Sequence, residues 1–175
     1  MAPFLYFVKR LFPSILVLLV TAGGAGDAGI DEPVEVGLRK TVPGTFYVDG
    51  AIGAAGPVEF LVDTGSSYTV INEEMLQVLE TAGQATFSRR LEGHMADGST
   101  RIVSLYRIAR MRLGPECVVT NVEAAVFPGR TRAILGIDTL ARLAPFTFSA
   151  DPPRLELDGC GRTPAWATAT HTAAL

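Results

Sequence analysis

The chain has 175 residues, of which 48% are hydrophobic and 19% are charged, and its formal net charge is −3. This length suits one domain with short extensions. The 18 glycines and 11 prolines exceed average usage and predict many turns, which favours β structure. Lysine and arginine never form a run longer than two residues. We therefore expect no nucleic-acid partner, because no stretch of sequence predicts a basic binding surface.

The first 26 residues have the pattern of a targeting segment. Lys9 and Arg10 precede the apolar run from Leu11 to Val20, and small residues follow from Thr21 to Gly26. This order is typical of a cleaved secretory signal. An uncleaved membrane anchor is the alternative, although ten helical residues span only about 15 Å of a ~30 Å hydrocarbon core. Both alternatives predict an exported domain, which is periplasmic, secreted or anchored in the inner membrane.

Residues 27–43 are polar and rich in turn formers, and we interpret them as a linker. A domain is predicted over residues 44–160, where the hydrophobic period is mostly two. Strands are expected at 45–52, 57–63, 68–71, 118–126, 133–135, 146–148 and 154–157, and a hairpin at 91–106 with Asp-Gly at its tip. Residues 161–175 show no period and are predicted to be a disordered tail.

Two short helices are expected between these strands. Asn72 is placed to cap a helix that ends at Gly83, because acidic residues fill its first turn and apolar residues form one face. Asp138 is placed to cap a helix of about five residues at 139–143. The prediction is therefore an all-β domain with one or two short helices.

The only cysteines are Cys117 and Cys160. An exported domain permits one disulfide between them, while two buried thiols are an equal alternative. His94 and His171 show no metal-ligand spacing with other residues. We therefore expect neither a metal site nor a cofactor.

An Asp-Thr-Gly sequence carries the strongest chemical signal. Asp63 follows the apolar segment Phe60 to Val62 and precedes Thr64 and Gly65. A buried carboxylate is costly unless it is hydrogen-bonded or paired. Gly65 allows a backbone N–H to approach that carboxylate closely. A simple turn, in which Asp63 satisfies local backbone donors, is the alternative.

Three features together resemble the retropepsin-type aspartic proteases, in particular their small single-domain bacterial members. They are the segment Phe60 to Ser67, the downstream Ile134-Leu135-Gly136, and the hairpin whose tip contains Gly98. The similarity spans residues 44–158. It implies a closed β barrel or sandwich with a flap hairpin. It also implies an aspartic endopeptidase that cleaves extended protein segments.

The resemblance implies a role for each residue of the Asp-Thr-Gly loop. Asp63 from each of two subunits would form a catalytic pair in a homodimer, one carboxyl ionised and one protonated, to activate water. Thr64 would hydrogen-bond across the symmetry axis, and Gly65 would donate a backbone N–H to Asp63. Ser66 would contact the substrate backbone or the outer oxygen of the carboxylate.

The resemblance also implies a flap above the cleft and packing beneath it. The flap tip would cover the substrate with Ala96, Asp97, Gly98 and Ser99. The segment Ile134, Leu135 and Gly136 would pack beneath the active-site loop. The residues themselves favour a turn role for Asp97 and a helix-capping role for Asp138 over catalysis.

Two other functions remain open from the sequence. One is a catalytically inactive domain on the same fold that binds peptides or supports assembly. The other is an exported β barrel that carries a small ligand. Replacing Asp63 by Asn distinguishes these two functions from the enzyme, because only the protease needs the Asp63 carboxylate.

Overall fold

A computed structural model of the protein describes residues 32–42 and 44–161. In this part of the chain the strands are β1 (Val34–Gly37), β2 (Arg39–Lys40), β3 (Phe46–Ile52), β4 (Gly56–Val62), β5 (Thr69–Asn72), β6 (Ala85–His94), β7 (Thr100–Leu113), β8 (Cys117–Phe127), β9 (Ile134–Leu135), β10 (Phe146–Ala150) and β11 (Pro153–Leu157). The helices are α1 (Glu73–Thr81) and α2 (Ile137–Arg142). The predicted targeting segment at 1–26 and almost all of the tail predicted at 161–175 lie outside the described residues.

Six strands close into a ring. The hydrogen-bonded order is β3, β4, β9, β5, β8 and β7, and β7 pairs again with β3 through the register Gly50 to Leu113. Strands β2 and β6 continue the sheet beyond this ring. The closed ring confirms the prediction of an all-β barrel with two short helices.

A second sheet of three strands, in the order β1, β11 and β10, packs beside the barrel. Val36 of β1 pairs with Leu155 of β11, and both side chains are buried in the main core. The interpretation of 27–43 as a linker is therefore wrong for residues 34–40, which form β1 and β2. The folded domain begins before residue 44.

The apolar side chains form two clusters. The larger one is the main core, and it includes the fully buried Val48, Ile52 and Phe60. The smaller one, called here the cleft cluster, consists of Val70, Val103, Leu105 and Ala125 with partly buried apolar residues around it. Its strands belong to the barrel and to the long hairpin of β6 and β7, so it links the two.

The helices differ in how they begin. The Asn72 side chain accepts a hydrogen bond of 2.9 Å from the Met75 N–H, which confirms Asn72 as the cap of α1. The predicted cap of the second helix is wrong. Gly136 occupies the capping position of α2 without a side-chain hydrogen bond, and Asp138 lies inside the first turn. The backbone contacts of Gly136 described below explain why the helix begins earlier.

Strands β6 and β7 form the predicted hairpin, which is longer than the expected 91–106. Residues from Ala85 to His94 pair with residues from Thr100 to Ile108. The Met95 N–H donates to the Ser99 carbonyl oxygen over 2.8 Å, which closes the tip. Gly98 has a φ of +81° there, a conformation that favours glycine.

A disulfide joins Cys117, at the start of β8, to Cys160, which follows β11. It ties the three-stranded sheet to the barrel at one end. Within residues 32–42 and 44–161, no helix is long and apolar enough to cross a membrane.

Candidate active site

The Asp-Thr-Gly loop leaves the barrel where two parallel strands meet. Strand β4 ends at Val62, which is paired with Leu135 of β9. The Asp63 N–H continues this ladder by donating to the Leu135 carbonyl oxygen over 3.1 Å. Asp63 is thus fixed by the barrel backbone, at the position where the chain turns away.

The carboxylate of Asp63 is held by the turn that follows it. The Gly65 N–H donates to Oδ1 of Asp63 over 2.9 Å, and the Ser66 N–H donates to the Asp63 carbonyl oxygen over 3.2 Å. Asp63 is half-buried, whereas Thr64 and Gly65 are exposed, so the carboxylate remains accessible.

Ser66 has a different contact from the one expected. Its hydroxyl donates to the Tyr68 carbonyl oxygen over 2.9 Å, which stiffens the loop. In the single chain this hydroxyl therefore donates to the loop backbone rather than to the Asp63 carboxylate, and the alternative contact with the substrate backbone stays a prediction. Ser66 nevertheless lines the cleft described below.

Gly136 and the start of α2 support the loop from beneath. The N–H groups of Ile137 and Asp138 donate to the carbonyl oxygens of Ser66 and Ser67 over 2.8 and 3.2 Å. A Cβ atom at Gly136 would overlap the carbonyl group of Tyr68. The helix therefore bonds to the loop through its backbone, which requires glycine at this position.

A cleft of about 610 Å³ opens beside the Asp63 carboxylate. Its floor is the cleft cluster, and the β6–β7 hairpin forms one wall. Polar and small residues complete the lining, which consists of Asp63, Gly65, Ser66, Ser67, Tyr68, Val70, Leu91, Glu92, Gly93, His94, Met95, Ala96, Val103, Ala125, Phe127, Thr131 and Ile134. The interior is mostly apolar, and its two carboxylates come from different elements: Asp63 follows β4, and Glu92 belongs to β6.

Only part of the expected flap tip borders the cleft. Ala96 lies in its lining, whereas Asp97, Gly98 and Ser99 do not. Asp97 accepts hydrogen bonds from the Ser99 hydroxyl and the Ser99 N–H over 2.6 and 2.9 Å. These bonds lower the pKa of Asp97. Asp97 therefore has the geometry of a turn residue.

Of the three residues predicted to pack beneath the site, Ile134 also borders the cleft. Leu135 is fully buried in the main core. Tyr68, Leu91 and Phe127 line the cleft but were not predicted as cleft residues. Alternation along β6 and β8 indicates the faces of Leu91 and Phe127, but only the tertiary pairing shows that these faces border Asp63.

An electrostatic network lies beyond Tyr68. Burial opposes ionisation of Glu123, but hydrogen bonds from Ser88 and Arg89 outweigh it, so the pKa of Glu123 is lowered. Burial raises the pKa of Asp138, and the positive charge of the nearby Arg142 partly offsets this rise. Glu123 is thus stabilised in its ionised form by the hairpin residues Ser88 and Arg89.

The described residues contain no group of three or more His, Cys, Asp or Glu side chains that could hold a metal ion. The polar side chains that line the cleft are two carboxylates, Asp63 and Glu92, together with hydroxyl groups and the His94 imidazole. Carboxyl groups in such a position can act in acid–base chemistry.

Residues 48 to 142, more than half of the chain, match the family described as "gag-polyprotein putative aspartyl protease". The chain belongs to the retropepsin-like aspartic protease family. The barrel, the loop at Asp63 and the β6–β7 hairpin are thus the family's fold in this chain, and the predicted resemblance is confirmed.

A solved structure supports the same fold for this retropepsin-like protein. The crystal structure of a retropepsin-like aspartic protease from Rickettsia conorii matches with a TM-score of 0.53 and 20% identity. The match covers 72% of this chain and 91% of that chain. A comparison with curated proteins finds no match.

Proposed function

We propose that the protein is an aspartic endopeptidase whose active site pairs Asp63 of two identical chains. The observation that carries this proposal is the Asp63 carboxylate, which is held by the Gly65 N–H at the side of a cleft under a hairpin. The β6–β7 hairpin forms one wall of this cleft, so an extended peptide lying beneath the hairpin is the proposed substrate.

The chemistry needs a second carboxyl group. Hydrolysis of a peptide bond requires an ionised carboxylate to deprotonate water and a protonated carboxyl to donate to the carbonyl oxygen. The sequence contains one Asp-Thr-Gly. A two-fold axis beside Asp63 supplies the partner, because it brings the same residue from a second chain. Two carboxylates at about 3 Å then share one proton.

The steps follow from this pair. The ionised carboxylate takes a proton from water as the water oxygen attacks the peptide carbonyl carbon. The protonated carboxyl gives its proton to the carbonyl oxygen. Collapse of the tetrahedral intermediate breaks the C–N bond: the amine leaves with a proton from the protonated carboxyl, and the other carboxylate takes a hydroxyl proton from the intermediate, which restores the pair. Thr64, exposed beside Asp63, is proposed to bond to the partner's loop.

An exposed aromatic surface supports pairing at this end of the barrel. Phe46 neighbours Tyr47, which is paired with Leu61 two residues before Asp63. Phe46 packs edge to face on Phe148 with 4.9 Å between ring centroids, and Phe148 of β10 is 42% exposed. Burial of this pair between two chains would remove apolar surface from water, which favours association. We propose that this end of the barrel faces the second chain.

We propose that the domain acts outside the cytoplasm, in the periplasm or as a secreted protein. The disulfide between Cys117 and Cys160 supports this location, because disulfides persist in oxidising compartments. The N-terminal segment would act as a signal or as an inner-membrane anchor. An anchor would also favour pairing, because confinement raises the effective concentration. Cell fractionation with detection of the N-terminus tests this location.

The decisive experiment measures cleavage of unstructured fluorescein-labelled casein by the chain from residue 27. Specific activity should rise with protein concentration and vanish in Asp63→Asn. Mixing the two forms tests the shared site. At a concentration where nearly all chains are paired, subunit exchange with an equal amount of Asp63→Asn should lower total activity to about one half, because mixed pairs lack one carboxylate.

Two results would contradict the proposal. Unchanged activity after complete exchange would show that one chain carries the whole site. Absence of cleavage by a protein shown to be dimeric would favour the inactive peptide-binding domain.

A further inference from the structure

Tyr68 is fixed to the Asp63 loop at its backbone and borders the cleft. Its carbonyl oxygen accepts the Ser66 hydroxyl, and its carbonyl group packs on Gly136. Tyr68 also packs against the cleft cluster. A tyrosine at such a boundary presents an apolar body and needs a partner for its hydroxyl.

Arg89 of the hairpin supplies that partner. Its Nη2 donates to the Tyr68 hydroxyl oxygen over 3.2 Å, and its guanidinium carbon lies 6.0 Å from the Tyr68 ring centroid. Its Nη1 donates to Oε1 of Glu123 over 2.7 Å. The rigid guanidinium fork can hold two partners at once, which a lysine ammonium cannot do with the same geometry.

A β bulge sets up this contact. The register of β6 against β7 shifts between Phe87 and Arg89, so two consecutive side chains reach the same partner. The Ser88 hydroxyl also donates to Oε1 of Glu123, over 2.7 Å. Bulges re-aim side chains near active sites. Here the bulge pairs Arg89 with Leu105, a member of the cleft cluster. Paired residues point to the same face of a sheet, so Arg89 lies on the face that carries this cluster.

The contacts join three separate parts of the fold. Glu123 belongs to β8 of the barrel, Arg89 to the hairpin that forms a cleft wall, and Tyr68 to the loop that carries Asp63. We infer that Arg89 is a positioning residue that sets substrate affinity by holding the Tyr68 ring as a wall of the cleft, with Glu123 holding Arg89. This inference rests on the proposed function and names a determinant of its substrate binding.

The test compares Arg89→Gln and Tyr68→Phe with the unsubstituted protein, using fluorescein-labelled casein. Each variant should raise KM about five- to tenfold and change kcat less than about twofold, because the hydrogen bond orients a binding wall and touches no reacting atom. Arg89 is 49% exposed, so both variants should fold. Arg89→Lys should behave like Arg89→Gln.

Arg90→Gln is the matched control. Arg90 is the next residue of β6 and is exposed. Its side chain emerges on the opposite face of the strand from Arg89. KM should stay unchanged in this variant. An equal rise in KM would mean that loss of positive charge, rather than the Tyr68 contact, weakens binding, and it would overturn the inference.

A double-mutant cycle decides whether Arg89 acts through Tyr68. The combined variant Arg89→Gln with Tyr68→Phe should raise KM no more than the larger single effect, because both substitutions remove the same hydrogen bond. Multiplicative effects on KM would overturn the inference. A fall in kcat with unchanged KM would overturn it as well.

Binding without cleavage separates this inference from the proposed function. In the Asp63→Asn background, fluorescence anisotropy measures the Kd for labelled casein directly. Adding Arg89→Gln should weaken binding about five- to tenfold. If the unsubstituted protein fails to cleave casein while this difference persists, the proposed function fails and the inference stands. Equal Kd values for Asp63→Asn with and without Arg89→Gln would overturn the inference.

Discussion

Gly136 lies so close to Tyr68 that a Cβ atom at position 136 would overlap the Tyr68 carbonyl group and come within 2.9 Å of the Ser66 carbonyl oxygen. The backbone of Gly136 is extended with φ −87°, so the requirement is for space rather than for a special conformation. The start of α2 thus depends on direct backbone contact with the Asp63 loop.

Gly136→Ala should lower both stability and activity. The new methyl group must displace the loop from Ser66 to Tyr68, which overpacks the core at a cost of about 1–3 kcal/mol. Urea unfolding and casein cleavage measure the two effects. Gly37→Ala is the control, because a Cβ at Gly37 meets no atom within 4 Å. Equal behaviour of the two variants would contradict the packing argument.

Local patterns predicted the parts of the fold that depend on neighbouring residues. The alternation in β8, the Asn72 cap and the hairpin tip at Gly98 all rest on short-range chemistry, and the sequence indicated each. Strand β1 was missed because its partner, β11, lies about 120 residues further along the chain. Val34, Val36 and Leu38 do alternate with polar residues or glycine, but a strand of four residues is stable only when it is paired.

The same distinction between local and long-range contacts applies to the candidate site. The Asp-Thr-Gly turn and its Gly65 N–H follow from local geometry. The cleft walls do not, because Tyr68 and Leu91 meet only after the barrel closes. The Asp138 prediction failed for a related reason. Capping preference favours aspartate, but the contact of Gly136 with the distant Tyr68 fixes where the helix begins.

Phe148→Ser should weaken pairing of two chains. If Phe148 is buried between them, each copy loses burial worth about 1.5 kcal/mol, and the dissociation constant rises about 100-fold. Sedimentation velocity over a range of concentrations measures this change. Cleavage should recover at high protein concentration, because the site itself is unaltered.

Phe87→Ser controls for loss of an exposed aromatic ring. Phe87 is 52% exposed and packs edge to face on Tyr106, as Phe148 packs on Phe46, but Phe87 belongs to the β6–β7 hairpin rather than to β10. Its dissociation constant should stay near that of the unsubstituted protein. Equal weakening by both variants would argue against an interface at β10.

Glu123→Gln should make the free energy of unfolding less dependent on pH in the acid range. The pKa of Glu123 is lowered in the folded protein, so its ionised form stabilises the fold above the ordinary glutamate value of 4.5. That contribution is lost as pH falls through the lowered value. The unsubstituted protein should therefore be more stable than the variant by about 1 kcal/mol at neutral pH, and the difference should shrink in acid.

Unfolding in urea from pH 7 to pH 3 measures this difference. Glu116→Gln is the control, since Glu116 is exposed and has no ion pair among the described residues. A difference between Glu123→Gln and the unsubstituted protein that stays constant over this pH range would show that shape, rather than charge, accounts for the effect.

Loss of the disulfide should be the largest single change in stability. Cys117 and Cys160 are 43 residues apart in the sequence, and loop-closure entropy for such a separation corresponds to about 4 kcal/mol. The double variant Cys117→Ala with Cys160→Ala should lose stability by this amount in urea unfolding. A reductant should shift the unsubstituted protein toward the variant and leave the variant unchanged. If reduction shifts neither protein, the bond does not form in solution, and the support that it gives to an oxidising compartment is lost.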